Sequence, residues 1–111
     1  MRFLKRPPAD KSERAKKHWH VTGRGLERGR DWTERRLSGG VEQLGDHDWF
    51  GGFLSGMSLE RNEHLLCDHS FEEALAWLDE RCEAFPNDQI CYSAAKVAAK
   101  LIWPNTDVMS P

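Results

Sequence analysis

The hydrophobic pattern of this chain changes period part-way along. From residue 71 onward the apolar positions recur at helical spacing, with Phe71, Ala74, Leu75, Leu78, Cys82 and Phe85 on one face. Ser70-Phe71-Glu72-Glu73 precedes that face as a capping box, in which the Ser70 hydroxyl accepts from the Glu73 amide and the Glu73 carboxylate reaches back. Two acids in the first turn also suit the helix dipole. A helix ending near Ala84 is therefore predicted. Pro86-Asn87 breaks it, and Asp88 is placed to cap a second helix. Ile90, Ala94, Val97, Ala98, Leu101 and Ile102 form the stripe of that helix, and Pro104 ends it.

Before residue 70 the pattern looks like alternation. In residues 18–26, Trp19, Val21, Gly23 and Gly25 fall on one face of a strand, and His20, Thr22, Arg24 and Leu26 on the other. Residues 27–40 fit neither period and read as a strand or a short helix, with Gly39-Gly40 as a turn. A meander follows: strands over Val41 to Leu44, Trp49 to Leu54 and Glu63 to Cys67, separated by turns at 45–48 and at Ser55-Gly56. Gly51-Gly52 inside the middle strand reads as a bulge or a close backbone approach. Strands followed by two helices predict an α+β fold: a small antiparallel sheet of three to four strands packed against a C-terminal helical hairpin. The domain spans residues 18–104. Residues 1–17, dense in charge and interrupted by Pro7-Pro8, read as a basic flexible arm, and 105–111 as a frayed tail.

Composition adds that one core fits in 111 residues. Five Trp and five Phe supply much of its area. No stretch approaches the roughly 18–20 apolar residues that cross a bilayer, and no apolar run follows the basic N-terminus. A cytoplasmic chain without a membrane partner is expected. Three cysteines, an odd number, argue for reduced thiols over a disulfide framework.

Charge changes the picture more. Residues 1–36 hold twelve of the sixteen Lys and Arg against five acids, whereas residues 37–111 hold four against thirteen. The net charge of −2 hides this division. Basic residues interleaved with Trp19 and Trp32 suit phosphate contacts and base stacking. The acids, however, concentrate on the predicted helix as Glu72, Glu73, Asp79, Glu80 and Glu83, and a pI of about 6.2 disfavours a polyanion. A basic half and an acidic half can pair within one chain or across two copies.

Candidate chemistry is sparse. His18 and His20 share a strand face and, with Asp46, His47 and Asp48, have the residue types of a metal site, as do Cys67, Asp68 and His69 with Cys82 or Cys91. Neither set has ligand spacing, so no metal and no cofactor is expected. Ser38 and Ser55 lie in Gly-rich loops that do not form a nucleophile elbow, and no phosphate-binding glycine motif occurs. No positioned catalytic pair is present, so no enzyme and no small-molecule substrate are expected. The expected function is a non-enzymatic binding module that contacts a protein or a second copy of itself. Nucleic-acid binding through the arm and sheet face is the alternative. The candidate contacts are Trp19, Arg24, Arg28, Trp32, Arg35, Arg36, Trp49 and Phe50, because Trp and Arg anchor interfaces. Trp77 and Trp103 are assigned to the core.

Overall fold

The computed structural model describes residues 23–111. The first predicted strand falls mostly before them, and the arm over residues 1–17 lies outside them. The described residues form a 3-10 turn, Gly23–Leu26, and four α-helices: α1 Gly29–Ser38, α2 Glu42–Arg61, α3 Phe71–Ala84 and α4 Ile90–Ile102. They contain no strand. The α+β expectation is therefore corrected: the sheet is replaced by two helices packed on the predicted hairpin. The only β-type pairing among these residues is one antiparallel bridge, Arg28 with Gln89.

The hairpin forms for the reasons the sequence carries. Ser70 Oγ accepts from the Glu73 amide at 3.1 Å, and Glu73 Oε1 accepts from the Ser70 amide at 3.0 Å. Ala74, Leu75, Leu78 and Cys82 of α3 are buried against Ile90, Ala94, Val97 and Ala98 of α4. Asp88 does not cap α4 as expected. Its carboxylate instead accepts from Arg81, and Gln89 holds the cap position.

The first two strands of the meander become α2, and the third, Glu63 to Cys67, is a loop of turns and bends. The strand reading of α2 failed because four glycines, at 45, 51, 52 and 56, look like turns and bulges. An interior glycine costs a helix about 1 kcal/mol relative to alanine. Here Asp46, Phe50 and Leu54, spaced by four, are all buried on the body, and the inward face offsets that cost. Gly45 sits beneath Arg24, whose guanidinium would meet a Cβ at 2.6 Å. Asn62 ends α2 in the left-handed region (φ 54°), and the Glu63 amide closes back to the Ser58 carbonyl at 3.1 Å.

α1 resolves the ambiguous stretch 27–40 as a helix. Its buried residues include Trp32, and Asp31 Oδ2 accepts from the Arg28 amide at 3.0 Å. Its first free amides are satisfied across the fold: Gly29 and Arg30 donate to the carbonyls of Asp88 and Pro86 at 2.8 and 3.0 Å. The approach is close enough that a Cβ on Gly29 would lie 2.9 Å from the carbonyl oxygens of Cys82 and Phe85.

The expected frayed tail is held in place. Arg81, fully buried on α3, donates to the carbonyls of Val108 (2.9 Å) and Ser110, pairs with Asp88 at 2.9 Å, and stacks on Phe85. Val108 is buried in consequence. A guanidinium with several donors can satisfy these carbonyls where an apolar side chain could not.

Candidate functional site

Three of the four arginines singled out in the sequence, Arg24, Arg35 and Arg36, turn to carboxylates of the fold, whereas Arg28 stays exposed. Asp46 has no exposed surface. Its carboxylate accepts from Arg35 Nε at 2.8 and 3.0 Å, from Arg35 Nη2 at 2.8 Å, and from Arg24 Nη1 at 3.1 Å. Arg35 also pairs with Glu27 at 2.8 Å, and Arg24 with Glu42 at 3.4 Å. The hydrogen bonds to Asp46 raise the Arg35 pKa above its ordinary value against the opposing effect of burial.

A second cluster joins α1 to the acidic helix α3. Arg36 grips Asp79 through Nε at 2.9 Å and Nη2 at 2.8 Å, and the Trp32 indole donates to the same carboxylate at 2.7 Å. Gln43 and His47 of α2 complete the ring around Arg36. The bonds to Asp79 raise the Arg36 pKa as well. These contacts place part of the basic half against part of the acidic half within one chain. Arg28 donates to the Asn87 carbonyl at 3.0 Å.

The aromatic candidates divide differently from the expectation. Trp32 and Phe50 are fully buried, edge to face at 6.4 Å, so neither is available as a surface anchor. Trp49 is half-buried and stacked on Phe53 at 5.3 Å. Trp77 packs on the core as expected, but Trp103 is 58% exposed, with Arg61 above its ring at 5.5 Å. Trp19, His18 and His20 lie outside the described residues. Among the described residues no three His, Cys, Asp or Glu side chains gather as metal ligands. His69 turns to Glu73 (3.6 Å) and to the edge of Trp77, not to Cys67. Cys67, Cys82 and Cys91 are free thiols, and burial pushes Cys82 up to about 12, leaving a protonated sulfur that is a poor nucleophile at neutral pH. No helix among the described residues is long and apolar enough to cross a membrane.

No family model matches this sequence, and comparison with curated proteins and with solved structures finds no significant match.

What the sequence reading missed is a surface at the α1–α2 corner. Leu37, Val41 and Leu44 are 84%, 80% and 62% exposed around Gly39-Gly40. Beside them a groove runs between α1 and α3. Two cavities of about 270 and 250 Å³ share Thr33, Leu37 and Glu83 as lining. Across Arg36 and Asp79 the groove continues into a space lined by Phe71, Glu72 and Ala76. Its lining alternates apolar Leu37, Pro86 and Phe71 with the Arg36–Asp79 pair, and its exposed rim carries Glu34, Glu72 and Glu83, none of which has an ion-pair partner among the described residues. The available signal was the apolar spacing Leu37, Val41, Leu44 across a Gly-Gly turn. With Val41 and Leu44 assigned to a strand, that spacing carried no surface meaning.

Proposed function

We propose that this chain is a small non-enzymatic binding module that acts by contact with another protein. The observation that carries the reading is the fate of the arginines. Arg24, Arg35 and Arg36 are engaged by Asp46, Glu42, Glu27 and Asp79, and Arg28 by the Asn87 carbonyl. To contact phosphates, Arg24, Arg35 and Arg36 would have to leave Asp46 and Asp79, carboxylates at least partly shielded from water, which is costly. The surface left open is apolar at Leu37, Val41 and Leu44 and acidic beside them. Such a surface suits a protein and repels a polyanion.

A second copy of the described body is a poorer partner for this face. Residues 23–111 carry nine Lys and Arg against sixteen Asp and Glu, so two bodies meeting there oppose like charge.

Titration of the full chain against a labelled DNA duplex and an RNA hairpin, over a salt series, tests the reading. The expected result is no submicromolar binding at about 150 mM salt. Tight association that falls steeply with added salt would establish the nucleic-acid alternative in its place.

A further inference from the structure

We infer that the groove between α1 and α3 docks a basic segment of a partner protein that also carries apolar side chains. The inference rests on the protein-contact reading and supplies the chemistry of the partner. The accessible apolar surface of the groove comes from Leu37 and Pro86 at one end and Phe71 and Ala76 at the other, with Trp32 and Cys82 buried beneath. The Leu37 side chain stands almost fully in water. An apolar side chain seated beside Leu37 removes both from water.

The rim sets the sign. Glu83 borders both α1–α3 cavities, Glu34 borders the one toward Pro86, and Glu72 borders the space beyond Asp79. All three are exposed, and none is neutralised by an ion pair among the described residues. Arg36, the cation nearest the middle, is already paired with Asp79. Arg30, at the Pro86 end, donates to the Asn87 side chain, which is neutral, and so leaves one cation on the rim. The acids outnumber it, and the excess of acids over the described body draws cations toward this face from a distance. An elongated groove with apolar ends and separated carboxylates matches an extended segment better than a flat protein surface. Such a segment would place Lys or Arg on the rim and apolar residues at the ends.

The test uses the full chain and three fluorescein-labelled peptides of equal length. One alternates Leu with Lys and Arg, one replaces every base by Glu, and one replaces every base by Gln. Anisotropy is expected to show the basic peptide bound at least tenfold more tightly than either of the others, and to lose at least tenfold between about 50 and 300 mM NaCl. The exposed double variant Glu34→Lys/Glu83→Lys, with an unchanged circular dichroism spectrum, is expected to weaken the basic peptide at least tenfold. Leu37→Asp is expected to weaken it as well. Equal binding of the three peptides, or variants that bind like the parent, overturns the inference. So does a concentration-dependent dimer in sedimentation velocity that the double variant dissolves, because the groove would then belong to a second copy. A negative peptide result with no nucleic-acid binding removes the groove assignment and leaves the protein-contact reading intact.

Discussion

Replacing Asp46 by Asn tests how far this fold depends on buried charge. The carboxylate is fully buried and accepts four hydrogen bonds from two guanidiniums, three of them from Arg35. An amide of the same shape keeps one acceptor oxygen, loses the negative charge, and turns a donor toward a cation. Removing one partner of a buried pair costs about 3–5 kcal/mol, because the remaining charge is left uncompensated. Arg35 is mostly buried and keeps only Glu27, itself about half exposed, so the lower half of that range, about 3–4 kcal/mol, is expected. Against a typical total of about 5–15 kcal/mol this is a large share. At this chain length it corresponds to a fall in Tm of roughly 10–20 °C. Urea unfolding followed by tryptophan fluorescence measures it, since Trp32 lies in the same core. The companion variant Arg35→Met removes the orphaned charge. In that background Asp46→Asn is expected to cost less by about 2 kcal/mol, which a double-mutant cycle reads as coupling. A loss below about 1 kcal/mol for Asp46→Asn alone, or additive single changes, would refute the view that this ion pair ties α1 to α2.

Two further outcomes follow from the geometry. Cys82 has its pKa raised to about 12 in the fold from an ordinary value of 9.0, so the unfolded chain ionises first; stability is expected to fall as pH climbs from about 9 toward 12, by at most about 1.4 kcal/mol per unit. That excess slope should be absent from a Cys82→Ala variant, and in the native protein at pH 8 a thiol reagent should label the exposed Cys67 well before Cys82. Gly29→Ala sets a Cβ 2.9 Å from two backbone carbonyl oxygens and is expected to destabilise by about 1–3 kcal/mol, although alanine is the better helix former. Gly52→Ala, where an added Cβ meets nothing within 4 Å beyond its own helix backbone among the described residues, is expected to stabilise by up to about 1 kcal/mol, and matching urea midpoints for the two variants would contradict the steric argument.

The candidate site was legible in residue types and not in roles. Trp and Arg were singled out as anchors of an external contact, and Trp32, Phe50, Arg24, Arg35 and Arg36 are instead the anchors of the internal one. The physical demands coincide: a side chain that seals an interface between two proteins also seals one between two helices. Leu37 and Val41 were passed over because exposure is a property of the assembled surface and has no sequence period of its own.

The sequence by itself determined the α3–α4 hairpin, down to the Ser70 capping box, because each helix buries a stripe of aliphatic residues at helical spacing and carries its own stop signals. It also determined the charge division that lets basic and acidic parts meet. Only the tertiary structure decided that Gly29–Ser38 and Glu42–Arg61 are helices. α1 and α2 bury Arg35 against Asp46 where a pattern reader looks for leucine, and α2 tolerates four glycines because its inner face is anchored at Asp46, Phe50 and Leu54. A guanidinium becomes an interior group only when its carboxylate arrives from another helix, and that partner is fixed by the assembled fold rather than by local spacing.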